Sequence, residues 1–292
     1  TFYCFDNKVF LTTIKNFKMK KYKLEDCISA IQGDCPDITK IRVPKITGTQ
    51  NNVFFGRTDD ADMVFKFSAP QMVIKNATVS SLYRGYGIPV PAISANEHNG
   101  IFFEKYQALP GCTFFEAIKD GMSEQQIKQV YREILVEFAK MSQIRSDLLA
   151  RDILKNIQDV VYRHVSNTHN PTMATLFAAV AYLLNIGHDI NSALFHSDIT
   201  PKNTIVSPDG HLSGFIDIDS VSVCNKSYAF GTLAAKYQEL GFDMTELFDF
   251  YENDTMDTHK LNRDRIKLAA NVTNFGKRLM WKCMQHKAKR SK

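Results

Sequence analysis

The sequence predicts an α+β fold in two parts: a small N-terminal lobe built on a β-sheet, then a larger, mainly helical C-terminal lobe. Three observations carry this. Short β-prone runs cluster between residues 40 and 106. From residue 127 onward, apolar residues recur at helical spacing. A hairpin pattern with polar ends then interrupts the helical part near residue 204. The chain has 292 residues, enough for one large or two smaller domains.

The elements follow in order. Residues 1–39 read as an N-terminal extension with a helix. The runs "KIRVPKI", "NVFFGR" and "DMVFKFS" read as strands, broken by Gly48-Thr49-Gln50-Asn51 and by Thr58-Asp59-Asp60. Residues 70–86 hold one helix, and "GIPVPAISANEHNGIFFEKY" adds two strands around the turn Asn99-Gly100. The predicted divisions are therefore 1–39, 40–106 and 107–292. After "LPG" at 109–111 the pattern changes. Ser123 and Gln126 have capping-box spacing, and Ile127, Val130, Tyr131, Ile134, Phe138 and Met141 follow on one helical face. Further helices are expected at 147–165 and at 171–186, the latter apolar nearly all round and stopped by Gly187.

Composition narrows the functional classes. At 44 % hydrophobic and 23 % charged the chain reads as an ordinary globular protein. Much of the +5 formal charge sits in "KNFKMKKYK" at 15–23 and "HKAKRSK" at 286–292. Such runs are ordinarily solvated, and no basic stripe interleaved with aromatics joins them, so no nucleic-acid partner is expected. The six cysteines show no metal-binding or C-x-x-C spacing and read as reduced thiols. No apolar run approaches membrane length, and the start lacks a secretory signal's apolar centre. A cytoplasmic location without a membrane partner is the expectation; the oligomeric state is left open.

The most telling stretch is "LFHSDITPKNTIVSPDGHLSGFIDIDS", residues 194–220. Thr204-Ile205-Val206 and Gly214-Phe215-Ile216 read as two strands around the Ser207-Pro208-Asp209-Gly210 turn. An antiparallel pair returns its far ends to one place, so Asn203 and Asp217 become neighbours, with Asp198 just upstream. A carboxylate and an amide at one point suit a hard cation, and Mg²⁺ takes one or two protein oxygens plus water and substrate phosphates. A second carboxylate can accept a proton from a nucleophile. These are the parts phosphoryl transfer needs. A single Asp near a turn is usually just solvated; the ordered set H-x-D-x-x-x-x-N, strand, turn, strand, I-D is far more specific.

On these residues the sequence resembles the aminoglycoside phosphotransferase and choline kinase superfamily, small-molecule kinases with a protein-kinase-like bilobal fold. That superfamily's H-G-D-x-x-x-x-N motif corresponds to His196-Ser197-Asp198-Ile199-Thr200-Pro201-Lys202-Asn203, and its I-D-x-[DE] motif to Ile216-Asp217-Ile218-Asp219. Upstream, "GTQNNVF" resembles its phosphate-covering hairpin and "MVFKF" its lysine-bearing strand. "GIPVPAI" and "IFFEKYQALPG" resemble the strand before the hinge and the hinge. The resemblance spans roughly residues 40–240.

It implies ATP bound at the junction of the lobes, with Asp198 as catalytic base. Asn203 and Asp217 would bind Mg²⁺, and Asp219 would hold a second ion or orient the first. Lys66 would pair with the α/β phosphates, Gly48 and Asn51 would lie over them, and the backbone from Glu104 to Tyr106 would take the adenine edge. His196 is expected to pack behind the metal loop. Three departures stand out. Ser197 replaces a glycine, and only Tyr228 survives of a D-P-x-Y-D motif. Asn76 stands where the helix after Lys66 should offer a glutamate, with no acid between Asp62 and Glu97.

The acceptor is expected to be a small molecule bearing a hydroxyl. The segment 239–257 carries seven acids among the aromatics Phe242, Phe248, Phe250 and Tyr251, which would suit a cationic acceptor through charge and cation–π contact. The plainer reading is an amphipathic helix with an acidic face in water. An aminoglycoside, a choline-like amine and a sugar all stay open. A pseudokinase-type scaffold is the alternative, supported by Asn76. A protein kinase comes last, because no A-P-E follows Asp217 and the segment after it is short.

Overall fold

The structure is a computed structural model, and it describes residues 22–43, 52–144 and 192–255, with 263, 264, 266, 267, 270 and 271 beyond them. The helices expected at 147–165 and 171–186 and the Gly187 stop lie outside the described residues. The described chain divides into two compact units: residues up to Ser81 with Pro91–Ala108, and Leu82–Val90 with the residues from Leu109 on.

The first unit is an antiparallel sheet with helices. Its strands are β1 (Thr39–Arg42), β2 (Asn52–Arg57), β3 (Asp62–Phe67), β4 (Ser94–His98) and β5 (Ile101–Gln107), in the order β1-β2-β3-β5-β4. The β4–β5 turn is Asn99-Gly100, both with positive φ (52° and 77°), as the Asn-Gly pair predicts for a tight hairpin. Side chains alternate between the two faces of the sheet. Phe54, Phe65, Phe67 and Phe103 share one face and pack with Cys27, Ala30 and Ile31 of α1 (Leu24–Asp34). This core makes α1 part of the sheet unit rather than an extension ahead of residue 40. Lys66 and Glu104 stand on the opposite face, and α2 (Pro70–Gly85) follows β3.

Residues 87–93, which resemble a strand, do not form one. Pro89 and Pro91 have no N–H to give a ladder. Instead, Pro91 O accepts from Ser80 Oγ (2.5 Å), which itself accepts from Ile93 N.

The second unit starts with β6 (Cys112–Thr113) and two capped helices, α3 (Phe114–Lys119) and α4 (Glu124–Met141). Both have complete capping boxes, Thr113 with Glu116 and Ser123 with Gln126. The second matches the sequence reading; the first carries the same signature as T-x-x-E. The face of α4 that the periodicity selects is buried, and Phe138 stacks on Phe195 with ring centres 4.7 Å apart. Strand β7 (Ser192–His196) pairs with β10 (Val221–Asn225). The hairpin strands β8 (Thr204–Val206) and β9 (Leu212–Phe215) extend β6 into a three-stranded sheet. Two helices follow, α5 (Lys226–Glu239) and α6 (Met244–Asp254).

Two glycines let the backbone close on this hairpin. Gly111 has φ +114°, and a Cβ there would lie 1.8 Å from Val206 O. Gly214 has φ +147°, and a Cβ would meet Pro89 O at 2.3 Å, the carbonyl that accepts from Phe215 N.

Candidate active site

The catalytic-type loop 197–203 hangs between β7 and β8 and is pinned at both ends. At its start, the Ser197 backbone N–H and hydroxyl both donate to Ser220 O, just before β10. Ser197 does not need positive φ, so serine serves where a glycine is usual. At its end, Asn203 N donates to Thr200 O (2.9 Å), and so does the hydroxyl of Thr204 (3.0 Å).

His196 is the strut behind the loop. Its ring is buried; Nε2 bonds to Ile216 O at 3.0 Å and Nδ1 accepts from Asp198 N at 3.3 Å. Burial pushes its pKa below the ordinary imidazole value, against the pull of the Ile216 carbonyl and of Asp198 and Asp217. A neutral ring bridging the two arms of the hairpin is a structural part, as the sequence reading expects.

The three principal residues converge. Asn203 Nδ2 donates to the Asp198 backbone carbonyl (3.1 Å) and to Asp198 Oδ2 (2.8 Å). With its nitrogen so used, the amide keeps its Oδ1, the atom through which an amide can accept a cation, on a residue that lines the cavity. The second strand ends at Phe215 rather than Ile216, and Ile216 N bonds to Asn203 O (2.9 Å), delivering Asp217 to the same end of the hairpin. Asp217 itself adopts the left-handed region (φ 59°, ψ 50°) as it caps a short 3₁₀ turn, Ile218–Ser220. Non-glycine residues held there concentrate at functional sites, and Asp tolerates the region better than most. Asp198, Asn203 and Asp217 line one cavity of about 580 Å³ together with Phe115, Lys202, Lys236 and Glu239.

The donor set fits Mg²⁺: one carboxylate and one amide oxygen, with room for water and phosphate oxygens. Among the described residues no group of three or more His, Cys, Asp or Glu could hold an ion alone. Asp219 follows on the 3₁₀ turn and does not line this cavity.

Sequence reasoning missed Lys236. Its side chain, 8 % exposed, rises from α5; Nζ donates to Ile199 O (2.9 Å) and lies 3.5 Å from Asp198 Oδ1. The signal was present: a lysine inside "AFGTLAAKY", on an otherwise apolar, small-residue turn. A cation buried on such a face needs an anionic or carbonyl partner.

In the sheet unit, Lys66 lies on β3 and is buried (5 %), with Glu104 as its direct partner on β5. The adenine role expected of Glu104 and Tyr106 does not stand. Antiparallel strands turn alternate residues' backbone groups to opposite sides. Phe102 O accepts from Ser68 N and Ala108 N donates to Asp62 O, so the even-numbered groups of β5 face β3 and are used by the sheet. The odd-numbered groups face β4, where Lys105 O accepts from Ser94 Oγ; β4 ends opposite Lys105, so Gln107 lies past it. Gly48 and Asn51 lie outside the described residues.

The acidic segment 239–257 is largely committed within the fold. Glu246 bonds to Lys128 and to Tyr237, Asp249 and Glu252 pair with Arg263, and Asp243 caps α6. Phe248 and Tyr251 are core, and Phe242 and Phe250 lie under Lys128 and Arg132. Among the described residues of the segment, Glu239 is the acid that lines the cavity.

A model of the phosphotransferase enzyme family matches residues 43–241, close to the span over which the motifs resemble that superfamily. No curated protein matches the sequence. Among solved structures, the aminoglycoside phosphotransferase APH(3'')-Id from Streptomyces rimosus is similar at a TM-score of 0.63 and 16 % identity, over 86 % of this chain and 98 % of that one. A GDP complex of aminoglycoside 2'-phosphotransferase-IIIa is similar at 0.59 and 16 %, over 90 % and 98 %. The choline kinase LicA from Streptococcus pneumoniae gives 0.58 and 12 %, over 91 % and 92 %. At these identities the likeness shows a common fold, with an α+β architecture shared by small-molecule kinases.

Proposed function

The chain belongs to the phosphotransferase enzyme family, and from that we propose that it moves the γ-phosphoryl group of ATP, in an Mg²⁺-dependent reaction, to a hydroxyl of a small molecule. The observation that carries this reading is the meeting of Asp198, Asn203 and Asp217 at one cavity, with the Asn203 amide turned onto the Asp198 carboxylate.

In this reading Asp198 orients the acceptor hydroxyl and takes its proton as the new O–P bond forms and ADP leaves. Asn203 Oδ1 and the Asp217 carboxylate hold the ion, with Asp219 supporting it or a second one. Bound Mg²⁺ offsets charge on the phosphates. Lys66 pairs with the α/β phosphates, and Gly48 and Asn51 cover them. The adenine edge is assigned to the backbone at Gln107, past the end of β4.

The acceptor-facing charges narrow the substrate. Once Asp198, paired with Lys236, serves as base and Asp217 as ion ligand, Glu239 is set against Lys202. Lys202 also lies over the Phe115 ring (5.4 Å). That balance suits a neutral polyol or a singly charged amine better than a polycation. The alternative, a nucleotide-binding scaffold without turnover, draws its support from the absence of an acid on α2.

Thermal unfolding tests the donor site first. Mg²⁺–ATP should raise the melting temperature of the wild type by mass action, and Asp217→Ala should lose the Mg²⁺-dependent part. No shift at millimolar nucleotide, with ATP or GTP, would remove the kinase reading. A shift without phosphate transfer to any of a panel of sugars, amines and amino sugars would favour the scaffold.

A further inference from the structure

The helix after the phosphate-binding lysine contributes no carboxylate. From Pro70 to Gly85 the chain reads "PQMVIKNATVSSLYRG", without Asp or Glu. Yet Lys66 is 5 % exposed and sits in the middle of a sheet, an environment a lone ammonium does not tolerate.

The sheet itself supplies an acid. Lys66 and Glu104 are opposed Cα partners on antiparallel β3 and β5, so their side chains leave the same face with Cβ atoms about 5 Å apart. Glu104 is 1 % exposed. Neighbouring positions on that face are apolar, Val53 beside Lys66 and Ala95 beside Glu104. Asn76 of α2, itself fully buried, donates from Nδ2 to Glu104 Oε1 at 2.6 Å. The helix therefore contributes an amide that orients a carboxylate, rather than the carboxylate.

We propose that Glu104 is the carboxylate that positions Lys66 for the donor phosphates, with Asn76 orienting it, so that the acid has moved from α2 into the sheet. This rests on the phosphotransferase reading given above. It carries a regulatory consequence. A helix-borne glutamate reaches its lysine only when the helix is correctly seated, which is what kinases exploit as a switch. A pair fixed by the register of two hydrogen-bonded strands is independent of helix seating, so the lysine is held constitutively. Glu104 acts through Lys66 and is a positioning residue. The proposal also removes the scaffold reading's main support, the missing acid.

The test moves the carboxylate. Glu104→Gln, Asn76→Glu and the double variant Asn76→Glu/Glu104→Gln are compared with wild type for affinity toward Mg²⁺–ATP and toward adenosine, and for the rate of Mg²⁺-dependent ATP turnover. Losing a hydrogen bond to a charged group predicts roughly tenfold to hundredfold weaker Mg²⁺–ATP binding in Glu104→Gln. Adenosine, which lacks phosphates, should bind as in wild type. Returning a carboxylate from the helix in the double variant should recover most of the loss, which a merely structural role for Glu104 would not permit.

Mg²⁺–ATP affinity and turnover unchanged in Glu104→Gln would overturn the proposal while leaving the kinase reading standing. Equal losses for ATP and adenosine, or no recovery in a folded double variant, would also overturn it. A wild type that binds no nucleotide would bring down the phosphotransferase reading and this proposal together.

Discussion

Lys236 Nζ lies 3.5 Å from Asp198 Oδ1 and donates to the carbonyl of the next residue, Ile199, at 2.9 Å. One buried cation thus holds both the carboxylate assigned as base and the backbone of the residue that follows it. Asn203 holds the other carboxylate oxygen. Between them they fix the direction in which Asp198 can receive a proton.

Removing that cation should cost turnover rather than donor binding. Lys236→Met keeps the length and apolar stem of the side chain. It should lower kcat by about a hundredfold, the usual effect of deleting one preorganised electrostatic contact. The Mg²⁺–ATP thermal shift should be unchanged. Equal kcat in variant and wild type would show Lys236 to be structural.

Asp198→Asn should separate chemistry from binding more sharply. The amide keeps an acceptor oxygen for Asn203 and loses the basic function. Transfer should fall by roughly 10²–10⁴-fold, the range attributed to general base catalysis. Retained nucleotide binding with that loss places the residue in the chemical step. Loss of both would instead point to a collapsed loop.

The glycine at 111 should resist substitution for a steric reason. Gly111→Ala combines φ +114° with a Cβ 1.8 Å from Val206 O and should destabilise by about 2–4 kcal/mol, read from the urea midpoint at constant slope. Gly121→Ala is the control: its φ is +97°, but no heavy atom lies within 4 Å of the added carbon, so about 1 kcal/mol is expected. Equal losses would show that the close approach to β8 contributes nothing.

The tip of the catalytic hairpin is tied to α4 by a titratable contact. Glu133 accepts from His211 Nδ1 and from Leu212 N, both at 2.7 Å. The hydrogen bond to Glu133 raises the His211 pKa above its ordinary 6.5. Burial opposes ionisation of Glu133, but its bonds to Leu212 N and His211 outweigh this and lower its pKa below 4.5. The folded histidine value is the higher one, so its contribution is complete below pH 6.5 and fades as pH rises through the raised value. The folded glutamate value is the lower one, so its contribution is complete above 4.5 and fades as pH falls through it. An NMR titration should place the His211 midpoint above 6.5, returning toward 6.5 in Glu133→Gln. A wild-type midpoint at or below 6.5 would contradict the contact.

Much of this was legible before folding because it is local. Asp198, Asn203 and Asp217 fall within twenty residues, and hairpin geometry alone returns the last to the first two. The Ser123–Gln126 cap, the apolar face of α4 and the Asn99-Gly100 turn are likewise written in short-range spacing. The roles of Lys236, Glu104 and the acidic segment were not legible, because each depends on a partner far along the chain. Lys236 finds its carboxylate 38 residues upstream. The role proposed for Glu104 comes from a strand register that sets it opposite Lys66, and that same register commits its backbone groups to β3. The acids of 239–257 leave a solvated face and a cation site both open in the sequence, and the fold pairs Glu246 with Lys128 and Asp249 and Glu252 with Arg263. Local chemistry can be read from periodicity and turn residues; which buried charge faces which is decided by packing, since only the assembled fold sets the distances over which charges pair.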